Sequence, residues 1–378
     1  MDHGSKTLLV LIAILVGNGC GAPSMESEVS AERQALAASS GLAQPVTETS
    51  LLSCEPMAGM TAYCGFKNPE DLVLVPGTNR LLVSEMGEFM MDTPGALSQL
   101  DLETGNRLSL DIDWAKNTVA GDANCAAPDV AAFSPHGIDL VTLDSGEDRL
   151  LVVNHGGRES VEFFSVAVDA GAPSLTWLGC ALPPEDAFIN DVAARTDGGF
   201  YVTHMWSKTG EFEEIANMLM SGQPTGWVWG WSLDAGFTKV AESDDLMPNG
   251  IAISPDNTKI YMNVYMGNRT VKLDAATGKR EGAFVVRQPD NITVTSDGTL
   301  WVASHQHDPI GQTCAQVLEG PCLLPFQVIK ANPDTMQSEV VIDHSGAPMG
   351  YSTVALIVDG KIFMGTAHGD RVVSVPLP

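Results

Sequence analysis

Six stretches of the chain repeat one pattern, and that repetition restricts the fold more than any other feature of its 378 residues. "EDLVLVPGTNRLLVSE" begins at Glu70, "HGIDLVTLDSGEDRLLVVNH" at His136 and "NDVAARTDGGFYVTH" at Asn190. "NGIAISPDNTKIYMNVY" follows at Asn249, "DNITVTSDGTLWVASH" at Asp290 and "STVALIVDGKIFMGTAH" at Ser352. Each is a short alternating apolar strand, a turn rich in Gly, Asp, Asn or Pro, and a second β-rich strand, which together read as a hairpin. Further strand-like pieces such as "VEFFSVAV", "GWVWGWSL", "TVKLD" and "FQVIKAN" bring each unit to roughly four strands. Antiparallel units of about 40 to 65 residues with little helix predict an all-β, six-bladed β-propeller. A β-sandwich would explain the hairpins but not one polar-then-apolar start recurring six times.

In a propeller the innermost strands line a central channel, so residues at their starts converge on the axis at one face. Here these are Glu70 and Asp71, His136, Asn190 and Asp191, Asn249, and Asp290 and Asn291. Taken singly, Asp and Asn at such places are ordinary turn formers. Recurring at one phase in five of the six copies, they crowd carboxylates that would repel without a cation among them. Oxygen ligands with no cysteine nearby select a hard ion, and a loose ring of many oxygens suits calcium better than octahedral magnesium. The sequence therefore predicts a central calcium channel.

Acidic residues outnumber basic ones 47 to 20, a formal charge of −27 that repels nucleic acid and concentrates cations. An apolar run from Leu8 to Val16 is too short to span a bilayer and reads as an export signal over residues 1–20. Cys20 after Gly19 suggests a bacterial lipoprotein and membrane attachment through a lipidated cysteine, with simple secretion as the alternative. Residues 21–50, rich in Ala, Ser, Gly and Glu, suit a flexible linker, leaving 51–378 for the propeller. Cys54, Cys64, Cys125, Cys180, Cys314 and Cys322 are an even set in an exported chain and predict disulfides. Short separations favour Cys54 with Cys64 and Cys314 with Cys322, leaving Cys125 with Cys180, among about 15 possible pairings.

The motifs "NPEDLVLVPG", "SPHGI", "LVVNH", "INDVAA", "NGIAISPD", "DNITV" and "STVA" stand in an order that resembles the serum paraoxonases, or arylesterases, over most of residues 66–378. The wider group includes gluconolactonase and the strictosidine synthase-like proteins, all six-bladed propellers. The resemblance implies that Glu70, Asn190, Asn249, Asp290 and Asn291 hold a catalytic calcium. It implies that Asp71, Asp191 and the backbone carbonyl of Ile138 hold a second, structural calcium. It further implies that His136 and His155 form a pair that activates water, and that His305 is another active-site histidine. Two features depart from the family. The C-terminal strand "RVVSVPLP" has no cysteine to clamp it to the first strand, so closure must rest on hydrogen bonding and packing. Residues 203–226, where paraoxonases carry a helix over the site, keep helical character, with Phe212, Ile215, Leu219 and Met220 roughly on one face, but with different residues.

These readings converge on a carboxylic ester hydrolase acting on lactones or aryl esters. Calcium would polarise the carbonyl, His136 would be the general base, and His155 would set its tautomer. No G-x-S-x-G elbow offers a serine nucleophile, which fits direct attack by water. His305 and His307 form an H-x-H pair read as a pocket wall rather than a zinc site, while His204, His344 and His368 read as peripheral. Trp227, Trp229 and Trp231 share one strand face and read as packing between blades. Two rival readings make different demands. A noncatalytic binding module would need calcium only for stability, and a strictosidine synthase-like enzyme would not lose its reaction with the metal.

Overall fold

The computed structural model describes residues 53–88, 93–115, 120–309, 312–314, 317 and 320–378. The expected export signal, Cys20 and the linker over residues 21–50 lie outside the described residues. Strand β1 (Thr61–Cys64) precedes a first blade of β2 (Pro69–Leu74), β3 (Arg80–Glu85), β4 (Ala96–Asp101) and β5 (Arg107–Ser109). The second blade has five strands: β6 (Asp111–Asp113), β7 (Pro135–Thr142), β8 (Asp148–Asn154), β9 (Ser160–Asp169) and β10 (Ala172–Ala181), with β6 parallel to β10 on the outer edge. The third blade comprises β11 (Ala187–Ala194), β12 (Phe200–Ser207), β13 (Trp227–Ser232) and β14 (Gly236–Lys239), with helix α1 (Phe212–Met220) between β12 and β13. The fourth comprises β15 (Pro248–Ile253), β16 (Lys259–Val264), β17 (Arg269–Asp274) and β18 (Arg280–Val285). The fifth comprises β19 (Pro289–Val294), β20 (Leu300–His305), β21 (Phe326–Ala331) and β22 (Ser338–His344). The sixth joins β23 (Ser352–Val358), β24 (Lys361–Thr366) and β25 (Arg371–Pro376) to β1 from the other end of the domain. This is a six-bladed β-propeller, and the six sequence hairpins are the two inner strands of its six blades.

The ring closes by strand pairing. Strand β1 runs antiparallel to β25, from Thr61 opposite Ser374 to Cys64 opposite Arg371, and the Tyr63 hydroxyl lies 3.1 Å from Ser374 Oγ. Arg371, fully buried, donates to the Ser53 carbonyl at 2.8 Å. Disulfides join Cys54 to Cys64, Cys125 to Cys180 and Cys314 to Cys322, the pairing that short separations favour. None joins the first and last strands, so the closing strand is held by its ladder and its packing.

The core is divided among the seams between blades rather than gathered at one centre. Val75, Leu82 and Leu97 meet Ile138 and Phe164 between blades one and two, and Phe163 meets Ile189, Phe200 and Trp231 between two and three. Similar apolar clusters fill the other four seams. Trp231 thus packs between blades.

Each of the six innermost strands is broken at the same place by a shift in pairing register. The shifts fall between Pro69 and Asp71, Pro135 and Ile138, Ile189 and Val192, Pro248 and Ile251, Pro289 and Ile292, and Ser352 and Val354. A bulge releases residues from the ladder and re-aims their side chains. Neighbouring blades approach closely here. A Cβ on Gly137 would lie 2.4 Å from Asp191 Oδ1 and 2.6 Å from Asp191 Cα, so that only glycine fits. Gly137→Ala is expected to cost about 1–3 kcal/mol, the scale of overpacking a close contact, read as a lower urea midpoint with an unchanged m-value.

Candidate active site at the channel

The bulges deliver Glu70, His136, Asn190, Asn249, Asp290 and Asn291 to one buried ring from blades one to five. Each is less than a tenth exposed. Asn291 donates from Nδ2 to Glu70 Oε1 at 2.7 Å, linking blades five and one, and His136 Nε2 stands 3.8 Å from the same oxygen. Asp290 accepts a side-chain hydrogen bond from Asn249, and its Oδ2 lies 3.3 Å from His305 Nε2. Three ring oxygens receive no hydrogen bond: Glu70 Oε2, Asn190 Oδ1 and Asn249 Oδ1. Unpartnered buried polar atoms are expensive, and three of them from three blades in one ring fit a cation better than water-free protein.

The second predicted set lies one step along each bulge and has a structural task of its own. Asp71 accepts the backbone N–H groups of Leu72 and, across the seam, Ile138, both at 2.8 Å. Asp191 does the same for Val192 and Ile251, also at 2.8 Å. Asp139, which the sequence reading passed over, ties Leu140 to Ala194 in the third blade. Asn263 to the Asp290 carbonyl, Thr293 to Ala355 and Thr353 to Glu70 continue the series around the remaining seams. Every junction between blades thus carries a side chain bonded to the next blade's backbone.

Electrostatics make the ring costly as it stands. Burial, then the charges of Asp71, Asp290 and Asp191, push Glu70 well above the ordinary carboxylate range. Burial raises Asp71 to about 7, Asp290 to about 8 and Asp139 to about 6, and with the Asp71 charge it lifts Asp191 well upward. Among the described residues no lysine or arginine pairs with any of the five. A hard cation would supply the missing charge, and carboxylate and amide oxygens are its preferred donors. A separate group of Cys125, Cys180 and Glu162 is closed to metal, because the cysteines are disulfide-bonded and Glu162 is filled by Arg158, Ser160 and Trp177.

Beside the ring, His136 Nδ1 and His155 Nε2 are 2.8 Å apart, because β7 begins and β8 ends at the same face. Burial, and then His155, hold His136 well below the usual histidine value, so it is a neutral imidazole. His155 stacks on Phe188 at 4.8 Å, and Phe188 on Trp206 at 4.9 Å. Helix α1 lies on this column through Ile215. Its predicted apolar face is shorter than the sequence suggested: Met220 is 65% exposed, because it sits in the last turn beyond the column. His305 is buried, stacked on Tyr351 at 4.3 Å, with Nδ1 2.9 Å from the Tyr265 hydroxyl and Nε2 3.0 Å from the Ser352 carbonyl. Its two nitrogens are engaged, so it stands beside Asp290 without offering a free base. His204, expected at the periphery, is buried against Trp227 at 4.4 Å, and burial lowers it to about 4.

Residues 87–314, more than half of the chain, match the SMP-30/Gluconolactonase/LRE-like region family. The chain belongs to that family. Among solved structures, a gluconolactonase from Xanthomonas campestris aligns with a TM-score of 0.50 and 16% identity, covering 84% of this chain and 89% of that one. A luciferin-regenerating enzyme aligns with a TM-score of 0.50 and 14% identity, covering 83% and 93%. Both show the shared propeller. No curated protein matches the sequence.

Within this gluconolactonase-like propeller the sequence reading missed Glu159, Asp139, Tyr265 and Tyr351. Glu159 stands four residues after His155, a spacing that offered a signal; the others gain meaning only from blade packing. The raised carboxylates set a pH dependence. A folded-state pKa above the unfolded one gives stability that is present below the unfolded value and lost as pH rises through the folded value. Metal-free protein should therefore lose stability between about pH 4 and pH 8, the span of the Asp139, Asp71 and Asp290 shifts. Calorimetry in chelator should show a melting temperature several degrees lower at pH 8 than at pH 5, at roughly 2–4 °C per kcal/mol.

Proposed function

We propose that this protein is a calcium-dependent hydrolase of lactones and, by the same chemistry, aryl esters. The observation that carries the reading is the set of three unpartnered ring oxygens beside a neutral, oriented histidine. Family membership and the ordered paraoxonase-like motifs support it. Glu70, Asn190, Asn249, Asp290 and Asn291 would hold the catalytic ion. Asp71, Asp191 and the Ile138 carbonyl would hold a second, structural one, adding to the N–H bonds these carboxylates already accept. When bound, calcium acts as a Lewis acid on a carbonyl oxygen and balances the charge that develops there.

The chain's own residues supply the rest. His136 Nε2 removes a proton from water as its oxygen attacks the carbonyl carbon. The ring C–O bond of the lactone then breaks, and the proton held by His136 returns to the departing alkoxide, giving a hydroxy acid. His305 stands beside Asp290, and helix α1 packs through Ile215 on the Phe188–Trp206 column that backs His155. An export signal over residues 1–20 and a lipidated Cys20, as read from the sequence, would put this activity outside the cytoplasm, in a secreted or lipid-anchored protein acting on small extracellular lactones or esters.

Hydrolysis of a lactone panel and phenyl acetate, with calcium and after chelation, tests the reading. Chelation should abolish turnover, and His136→Gln should lower kcat by about 10²- to 10⁴-fold, the contribution of a general base, without loss of fold. Calcium should also raise the melting temperature, more at pH 8 than at pH 5. A folded, calcium-loaded protein inert across the panel would sink the hydrolase assignment and favour a binding module.

A further inference from the structure

We infer that Glu159 is the positioning residue that fixes the tautomer of the His136–His155 pair, and that Lys208 holds it in place. His155 Nδ1 lies 3.1 Å from Glu159 Oε1 and 3.0 Å from Oε2. Lys208 Nζ donates to Oε1 at 2.7 Å, and the Ile189 N–H approaches Oε2 at 3.4 Å. The carboxylate side chain is 8% exposed, whereas that of Lys208 is 44% exposed. Burial pushes the Glu159 pKa up, but His155 and Lys208 outweigh it and hold the group below its usual range.

Two imidazoles that each carry one N–H and share one hydrogen bond have two arrangements. In one, His155 donates from Nδ1 to Glu159 and accepts at Nε2 from His136 Nδ1–H, which leaves the lone pair of His136 Nε2 facing the ring. In the other, His155 donates from Nε2, so His136 carries its proton on Nε2 and cannot act as a base. That second arrangement also sets the His155 Nδ1 lone pair against an ionised carboxylate at 3.0 Å. A carboxylate only accepts, so Glu159 selects the first arrangement. Lys208 follows β12 directly, and its own N–H donates to the Asp186 carbonyl at 2.6 Å. The clamp is thereby anchored at the root of helix α1, joining the segment over the site to the orientation of the base.

The catalytic consequence rests on the hydrolase reading above; the tautomer does not. We would record ¹⁵N spectra of histidine-labelled, calcium-loaded full chain at one pH, identifying His136 by its loss in His136→Gln. The wild type should show His136 protonated on Nδ1 with Nε2 bare. Glu159→Gln, whose amide can donate to His155, and Glu159→Asp, one methylene short of contact, should each lose that signature. Their kcat should fall by about 10²- to 10⁴-fold, the span of a misplaced general base, with KM unchanged. If the Gln variant fails to fold, the Asp variant decides. A folded variant that keeps His136 protonated on Nδ1 overturns the assignment. A wild type without turnover removes the hydrolase reading while the spectra still decide Glu159.

Discussion

The architecture turns on the bulge that interrupts each innermost strand. Side chains of a regular strand alternate between faces, so two adjacent polar residues could not both serve the channel side of a propeller. The register shift between Ile189 and Val192 frees Asn190 and Asp191 from that rule. Asn190 joins the ring, while Asp191 reaches the next blade's Ile251 N–H. Glu70 with Asp71 repeats the division. In blades two and four the second place belongs to Gly137 and Gly250, where the neighbouring backbone leaves no room for a side chain. One local irregularity therefore produces the candidate site and, through Asp71, Asp191 and Thr353, part of the joints between blades.

Stability and chemistry consequently draw on the same charges. The staples of Asp71, Asp139 and Asp191 satisfy backbone N–H groups at three of the six seams, but they bury carboxylates within each other's field. The N–H bonds they accept offset the desolvation only in part, so burial keeps the pKa values raised. In metal-free protein the ring is relieved by taking up protons; a cation would relieve it without protonating the groups that hold it. The exterior contributes as well, since a formal charge of −27 raises the local concentration of cations near the channel.

Much of this was legible in the sequence because the repeats carry a phase. Six hairpins with one polar start gave the blade count and most of the ring residues, for the physical reason that symmetry maps equal phases to equal radii. What the sequence could not display was partnership across blades. Asp139 reads as an ordinary strand residue in "HGIDLV" until Ala194 is seen beside it. Strand β1 is too short to stand out, and its role as the closing strand follows only from its pairing with β25. Glu159 belongs to a turn, and its meaning depends on the fold returning His155 to His136. Helical periodicity placed Met220 on the apolar face, whereas the Phe188–Trp206 column supports the helix only as far as its middle.

The electrostatics of His136 also constrain how the proposed reaction must be divided. Burial keeps this imidazole neutral at working pH, which guarantees a lone pair but makes the base weak. A weak base transfers little driving force to water, so the carbonyl must be strongly polarised for the pair to suffice. The unpartnered oxygens of Glu70, Asn190 and Asn249 stand where such polarisation has to originate, within the ring that His136 faces through Glu70. Position then replaces basicity: a tautomer held fixed by Glu159 loses no fraction of the protein to a misdirected proton. The burial that weakens His136 thus comes together with a neighbour, His155, whose second nitrogen faces Glu159 and keeps the base aimed.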